Sequence, residues 1–286
     1  MNVSIENELI KARSLLRENG AVNPGLEVNR LLEVSAGRSL ERIFSSPEIL
    51  ANENVKKNFF SLLERRVSGE PLDYICGKSS FYSKEFCVDR GVFIPRSDTE
   101  VLVDAVLSEA EKYDLYDLIV LDMCCGTGCV GLSLADFHNF KKIYLADKAP
   151  DSISCAKKNQ TLHGLEKKTE IFESDLFSSV PSVAFKYIVS NPPYVSAKEF
   201  AHLDKSIKNY EPIEALLSSN EGLWHLAKIA SEGRRFLPKD GGIFLEIGAS
   251  QGLAAKKILF DLGYSEVELL PDLNKIDRVV KAKWKN

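Results

Sequence analysis

Residues 120–128, Val-Leu-Asp-Met-Cys-Cys-Gly-Thr-Gly, join a short apolar run to a glycine-rich turn. The apolar run is typical of a buried strand. Glycine lets the backbone turn tightly and approach a ligand, and the N-terminus of a following helix points to the same place. The stretch therefore predicts a strand, a loop and a helix that together bind a nucleoside cofactor.

Strand and helix patterns alternate around this stretch. Strands are predicted at 118–123, 142–147, 169–173, 185–190, 242–247, 264–270 and 277–284. Helices fit between them, for example at 150–162 and 221–236. This rhythm predicts an α/β fold, with a mostly parallel sheet and helices on both of its faces.

The first part of the chain has a different pattern. Asn23-Pro24 is typical of a helix start, with Gly37 at that helix's end, and another helix is predicted from Glu53 to Val67. The segment from Tyr74 to Val92 has the aromatic and β-branched residues of a short hairpin. We therefore expect a small helical domain over 1–70, a β-hairpin linker over 71–92 and a larger domain over 93–286.

Composition narrows the class of protein. The 286 residues are 44% hydrophobic and 27% charged, with a net charge of -4, which argues against a broad nucleic-acid-binding face. The chain lacks both the pattern of a signal peptide at its start and an apolar run near the ~20 residues that span a bilayer. We expect a cytoplasmic protein without membrane association.

The cysteines and histidines do not form a metal-binding pattern. Three of the six cysteines crowd into the glycine-rich turn, and no Cys-x-x-Cys pair or suitably spaced histidine accompanies them. We expect reduced thiols and no metal. The histidines are scattered and are expected at the surface or as helix caps; they are His138, His163, His202 and His225.

Three carboxylates fall after predicted strands. Residues 126–131 also fit Gly-x-Gly-x-x-Gly, with Asp147 about 20 residues on, which is a pattern of NAD-binding domains. Asp122, however, suits a cofactor that carries an ammonium and a sulfonium, and it would repel a pyrophosphate. This favours S-adenosylmethionine, although Asp122 could instead cap a helix. Asp147 would bind ribose hydroxyls or end a turn, and Asp175 would accept from the adenine amine or lie solvated in a loop.

The fourth predicted strand leads into Asn191-Pro192-Pro193-Tyr194. Two prolines leave a rigid backbone that offers mainly carbonyl oxygens. With the Asn191 side-chain oxygen and the Tyr194 ring, this turn could hold a planar group bearing an NH2, or it could simply end the strand. Because ligands of open α/β sheets bind at the carboxyl ends of strands, we expect one crevice to collect this turn, the glycine loop, Asp147 and Asp175.

These motifs resemble those of class I methyltransferases that use S-adenosylmethionine and act on a planar-amine nitrogen. Residues 93–100, Phe-Ile-Pro-Arg-Ser-Asp-Thr-Glu, resemble the IPRPETE segment of the HemK/PrmC family, the protein-(glutamine-N5) methyltransferases. Later landmarks of that family follow in order at Glu211-Pro212, Gly222-Leu223, 245–248, Gln251-Gly252 and 277–280. The resemblance implies a Rossmann-like domain with a seven-stranded mostly parallel sheet, preceded by a helical substrate-recognition domain and a β-hairpin.

The resemblance also implies the reaction, which is methylation of the glutamine in the Gly-Gly-Gln motif of class I peptide chain release factors. Together with the motifs, it assigns cofactor contacts to Asp122, Cys124, Cys125, Gly126, Thr127, Gly128, Asp147, Asp175, Leu176 and Asn191. It assigns catalysis to Asn191, Pro192 and Tyr194, and substrate contacts to Asn191, Pro192, Pro193, Tyr194, Phe93 and Arg96. The expected partner is a release factor, and we expect a monomer without stable nucleic-acid binding.

The chain departs from the family pattern at three places. Cys124 replaces the usual first glycine of the loop, so it must keep a negative φ or accept strain. Leu176 stands where relatives often place a tryptophan beside the adenine, and Ser97-Asp98 replaces Pro-Glu.

Other functions remain open from the sequence. A glutamine of a ribosomal protein is the alternative substrate within the class. A DNA adenine-N6 methyltransferase uses the same Asn-Pro-Pro-Tyr chemistry but would need a basic target-recognition region. An NAD-dependent oxidoreductase leaves the Asn191 turn unexplained, and a non-enzymatic adaptor leaves Asp147 and Asn191 unexplained.

Overall fold

The computed structural model describes residues 3–112, 117–137 and 140–285. It divides into two compact units, one of residues 1–78 with 205–210 and one of residues 79–204 with 211–286. The part of the chain described contains no helix with the length and hydropathy to cross a membrane.

Short helices build the first unit. They are α1 (Val3–Glu18), α2 (Pro24–Ala36), α3 (Leu40–Ser45), α4 (Pro47–Ala51), α5 (Glu53–Val67) and α6 (Leu72–Cys76). As predicted, the Asn23 side chain accepts the Leu26 N–H to cap α2, and Gly37 ends the helix in the left-handed region with φ of 60°. These helices pack around one hydrophobic core, which buries Leu31, Ile43 and Phe59 among other apolar side chains.

A β-hairpin follows α6. Its strands are β1 (Lys78–Phe81) and β2 (Lys84–Cys87), and Tyr82 and Ser83 turn between them with φ of 50° and 61°. Two positive φ values in a two-residue turn match the twist of the flanking strands. The hairpin thus lies within the predicted linker, together with helix α6. The division at 1–70, 71–92 and 93–286 stays a prediction.

The second unit is built on a seven-stranded sheet. Its strands are β3 (Ile119–Met123), β4 (Lys142–Asp147), β5 (Thr169–Glu173), β6 (Tyr187–Ser190), β7 (Gly241–Glu246), β8 (Tyr264–Pro271) and β9 (Asp277–Trp284). They lie in the order β5-β4-β3-β6-β7-β9-β8 and are parallel except that β9 runs antiparallel to its neighbours β7 and β8. The predicted fold class is confirmed.

Helices cover both faces of this sheet. The helices of this unit are α7 (Glu100–Ala110), α8 (Cys129–Phe137), α9 (Pro150–Leu162), α10 (Ala197–His202), α12 (Trp224–Gly233) and α13 (Gly252–Asp261), while α11 (Lys205–Tyr210) belongs to the first unit. Apolar residues of α7, α8 and α9 pack into one core cluster with the hairpin, and those of α12 and α13 pack into another. The two clusters hold the central strands between them.

One helix is shorter than its prediction of 221–236. Asn220, Glu221 and Gly222 all have positive φ, at 55°, 54° and 82°, so a right-handed helix cannot pass through them. Helix α12 therefore begins at Trp224.

The sheet has a topological switch point between β3 and β6, where the order in which the chain adds strands reverses. From β3 the chain proceeds outward through β4 to β5, and β6 then returns to the other side of β3. Met123 and Ser190 are direct neighbours at the carboxyl ends of these two strands, and the Ser190 hydroxyl donates to the Met123 carbonyl at 2.5 Å. This switch point is where open α/β sheets bind ligands.

Candidate active site

A cavity of about 470 Å³ opens at the switch point. Most of the residues predicted from the sequence line it, namely Phe93, Asp122, Cys124, Cys125, Gly126, Thr127, Asp147, Asp175, Leu176, Asn191, Pro192, Pro193 and Tyr194. Arg96 and Gly128 are the two predicted residues outside this lining. The structure thus brings the glycine loop and the Asn191 turn to one cavity, as the topology argument expected.

Asp122 lies under the glycine loop and serves the helix that follows. Its Oδ2 accepts the N–H of Gly131 in the first turn of α8 at 2.8 Å, and the residue is 1% exposed. Burial raises the pKa of Asp122 to about 7, opposed by the bond from Gly131 and reinforced by the Asp147 charge. Asp122 therefore makes the hydrogen bond expected of a helix cap, which was the alternative role. Asp122 also lies in the cavity wall, and its contact with the cofactor stays a prediction.

The glycine loop combines left-handed residues with close packing. Cys124, Gly126 and Gly128 have φ of 60°, 55° and 78°. Gly128 packs behind the loop, where a Cβ would come within 3.0 Å of Leu132. Cys124 therefore accepts the strain that its replacement of glycine implied.

Asp147, at the end of β4, fastens this loop. Its Oδ2 accepts the Gly126 N–H and its Oδ1 accepts the Ala149 N–H, both at 2.9 Å. Burial raises the pKa of Asp147, although these backbone bonds oppose the rise. Each oxygen keeps a second acceptor site, which suits ribose hydroxyls.

The end of β5 supplies another wall of the cavity. Asp175 is exposed, and Leu176 has a φ of 46°. His225, at the start of α12, also lines the cavity, and its Nδ1 lies 2.8 Å from the Ser218 hydroxyl. Burial lowers the pKa of His225, which favours the neutral ring.

His225 is a cavity residue that sequence reasoning missed, because a single histidine in a helix carries no pattern. His163 and His202 lie outside the cavity lining, and His138 lies outside the described residues.

The turn after β6 is held by side chains from distant elements. Asn191 Nδ2 donates to Thr99 Oγ1 at 3.1 Å, and the Tyr194 hydroxyl donates to Glu246 Oε1 at 3.2 Å. Both prolines are buried. The turn is therefore a fixed wall and not a mobile loop end.

Gln251 ties the same turn to two other loops. Its Nε2 donates to the Tyr194 carbonyl at 2.8 Å and to the Glu221 carbonyl at 3.1 Å, while its Oε1 accepts the Gly248 N–H at 2.8 Å. Gly222 leaves room for this arrangement, because a Cβ there would lie 2.1 Å from the Tyr194 carbonyl oxygen. The sequence offered Gln251 and Gly222 only as landmarks, without these roles.

Phe93 and Arg96 occupy different positions. Phe93 lines the cavity, whereas the Arg96 guanidinium stacks over the Phe93 ring with 4.9 Å to its centroid. Arg96 is also paired with Glu211, a buried carboxylate that accepts the Ile94 N–H at 3.3 Å. Arg96 thus supports the wall that Phe93 forms, and its contact with substrate stays a prediction.

The donor set fits S-adenosylmethionine. Carboxylates at the ends of β3 and β4 and after β5 line the cavity, and S-adenosylmethionine carries an ammonium, a sulfonium and ribose hydroxyls, all of which carboxylates stabilise. The loop contributes glycine backbone, and a Cβ at Gly126 would meet no atom within 4 Å, so this segment is open to a ligand. Among the described residues no group of three or more His, Cys, Asp or Glu side chains could hold a metal.

The sheet order, the glycine loop and this donor set define a Rossmann-like methyltransferase that uses S-adenosylmethionine. Two family matches agree: the methyltransferase small domain over residues 85–210 and the PrmC N-terminal domain over residues 9–77. The release factor glutamine methyltransferase of Clostridium acetobutylicum is 34% identical over 98% of both chains. That of Thermodesulfovibrio yellowstonii is 36% identical over 82% of this chain and 83% of the relative.

This chain belongs to the release factor glutamine methyltransferase family, and the resemblance and cofactor predicted from the sequence are confirmed. The bifunctional methyltransferase of Rickettsia prowazekii is 34% identical over 98% of this chain, which spans only 57% of that longer relative.

Solved structures agree on the fold. The ribosomal protein L11 methylase of Lactobacillus delbrueckii subsp. bulgaricus superposes with a TM-score of 0.50 at 16% identity, over 70% of this chain and 84% of that one. The 16S rRNA methyltransferase RsmC of T. thermophilus, in complex with AdoMet and guanosine, gives 0.52 at 16% identity, over 73% of this chain and 50% of that one.

Proposed function

We propose that this chain transfers the methyl group of S-adenosylmethionine to the side-chain amide nitrogen, N5, of the glutamine in the Gly-Gly-Gln motif of class I peptide chain release factors. The observation that carries the proposal is the Asn191-Pro192-Pro193-Tyr194 turn, which lines the same cavity as the glycine loop. The names of relatives that match 82% and 98% of this chain support a release factor glutamine as the substrate.

The chemical difficulty is the substrate nitrogen. An amide nitrogen is a poor nucleophile because its lone pair is delocalised into the carbonyl, and the cofactor supplies a methyl group activated by a sulfonium. The Asn191 side-chain oxygen and the Pro192 carbonyl each accept one N–H of the substrate amide. These two acceptors fix the plane of the amide and its orientation in the cavity.

Orientation is the main contribution of these residues. Holding two reactants in position can supply roughly 7–11 kcal/mol at best. Acceptors placed where positive charge grows on nitrogen add to this, because they need no rearrangement as the bond forms. The Tyr194 ring, fixed by its bond to Glu246, gives the planar amide a flat face to stack on.

The proposal requires no strong general base. The amide proton becomes acidic only as the new bond forms, so it can leave to water afterwards. His225 lies in the cavity wall, and burial lowers its pKa; in this proposal it serves as part of the wall.

The names of the relatives favour a release factor over the alternative substrates. A ribosomal-protein glutamine and a DNA adenine are alternatives that no contact in the described residues favours. We further propose that the enzyme acts as a cytoplasmic monomer.

Labelled S-adenosylmethionine tests the proposal directly. The purified chain is incubated with a class I release factor and, separately, with its Gly-Gly-Gln→Gly-Gly-Ala variant. Label on the wild-type release factor alone is the expected result. Absence of label from both, with cofactor binding intact by calorimetry, would refute the release factor as substrate and leave the methyltransferase class in place.

A further inference from the structure

A buried polar group lies behind the Asn191 turn. Thr99 ends the 3₁₀ turn Ser97–Thr99 and is 2% exposed, and Glu246 ends β7 and is also 2% exposed. Thr99 accepts from the Asn191 side chain, and Glu246 accepts from the Tyr194 hydroxyl. Both polar side chains of the turn are therefore anchored on residues that do not belong to it.

Buried polar atoms need hydrogen-bond partners, and this requirement indicates which of these groups donates and which accepts. The Thr99 oxygen accepts from Asn191 Nδ2, and a buried hydroxyl needs an acceptor for its own hydrogen. Glu246 can supply that acceptor, since its Oε2 is buried and accepts no hydrogen bond from any described residue, so this oxygen still needs a donor. Burial raises the pKa of Glu246 to about 7, and the Thr99 and Tyr194 hydroxyls oppose the rise, as donors to a carboxylate do.

An asparagine amide can sit in either of two orientations that exchange its oxygen and its NH2. When Thr99 turns its hydrogen to Glu246, it can only accept from Asn191, which selects the observed orientation with the NH2 of Asn191 pointing to Thr99 at 3.1 Å. The Asn191 oxygen is then left for another donor.

Building on the proposed function, we propose that Thr99 and Glu246 are positioning residues that hold the Asn191 amide with its oxygen available to the substrate amide. The reverse orientation would set the NH2 of Asn191 against the NH2 of the substrate, so that two donors meet. Thr99 also lines the cavity, but in this proposal it acts through Asn191 and not by a contact of its own with cofactor or substrate.

Thr99→Val removes the acceptor but keeps the shape of the side chain, and Thr99→Ser restores it. We expect Thr99→Val to lower kcat for release-factor methylation by about 10- to 100-fold, in the range of a misplaced reactive group. Thr99→Ser should recover most of the rate, and the Kd for the cofactor product S-adenosylhomocysteine should be unchanged in both. Thr169→Val is the matched control, because Thr169 is equally buried and hydrogen-bonded but lies outside the cavity lining.

A double-mutant cycle separates positioning from general stability. If Thr99 acts through Asn191, Thr99→Val costs nothing further in the Asn191→Ala background. An equal loss of kcat in both backgrounds would overturn the proposal, as would a loss with Thr99→Ser equal to that with Thr99→Val.

A second measurement needs no substrate at all. In ¹⁵N-labelled protein, the side-chain NH2 signal of Asn191 is assigned by its absence in Asn191→Ala. Its exchange with water is expected to be slow in wild type and Thr99→Ser, and faster in Thr99→Val and in Glu246→Gln, which offers Thr99 a donor as well as an acceptor. Equal exchange in wild type and Thr99→Val would overturn the proposal even if the release factor proved to be the wrong substrate.

Discussion

Cys124 gives the most direct test of how the glycine loop is built. It adopts a φ of 60° at the position where glycine is usual, next to Cys125, whose φ is not positive. A residue with a Cβ is destabilised by roughly 1–2 kcal/mol in the left-handed region. We therefore expect the backbone here to prefer glycine to any residue with a Cβ.

Comparing Cys124→Ala with Cys124→Gly isolates that backbone effect. Both variants lose the thiol and its packing, so only the Cβ distinguishes them. Glycine removes the left-handed strain of roughly 1–2 kcal/mol. It also loses more conformational entropy on folding than alanine does, which costs about 0.5–1 kcal/mol. Cys124→Gly should therefore be more stable than Cys124→Ala by up to ~1.5 kcal/mol.

Cys125 is the matched control, because it is buried in the same loop without a positive φ. There the order should reverse, with Cys125→Gly less stable than Cys125→Ala by about 0.5–1 kcal/mol. Urea unfolding curves give these differences from midpoint shifts at an unchanged m value. The same order at both positions, with alanine the more stable residue at Cys124 as well, would contradict this explanation of the loop.

Two further predictions concern stability. Gly222→Ala should lower the free energy of unfolding by roughly 3 kcal/mol or more, because its Cβ would lie 2.1 Å from the Tyr194 carbonyl oxygen. Gly20→Ala, with a similar φ of 84° and no atom within 4 Å, should cost only the ~1 kcal/mol of the backbone, and equal losses by urea unfolding would contradict the clash. Because the pKa of Asp122 is raised to about 7, the folded state keeps a proton that the unfolded chain has lost, so stability falls by about 1.4 kcal/mol per pH unit as pH rises from ~4 to ~7. Asp122→Asn should remove that part of the slope in unfolding curves measured across this range, and an unchanged slope would contradict the assignment.

The sheet could be predicted because its signals are local. The alternation of apolar runs and helical patterns predicted the bounds of β4, β5, β9 and α9 as the structure has them. The glycine loop and the Asn191 turn were also readable, since both follow a strand directly. Parallel topology then brought them to one cavity without any further information.

The supporting contacts were not predictable in this way. Asn191 and Thr99 are 92 positions apart, and Arg96 and Glu211 are 115 apart, so neither pairing leaves a local pattern. The same holds for Gln251, which joins three loops. For Cys124 the sequence left two possibilities, a negative φ or a strained positive φ, because the φ of a loop residue depends on how the loop packs.

In the proposed mechanism, Asn191 acts by orienting the amide to be methylated. The measurement is single-turnover methyl transfer to the release factor by Asn191→Ala, beside the calorimetric Kd of that variant for S-adenosylmethionine. We predict a rate lowered by about 100-fold or more, as when one preorganised hydrogen-bonding group is removed, with the Kd changed by no more than about threefold. Equal losses in rate and in cofactor affinity would contradict the claim and make Asn191 a cofactor-binding residue only.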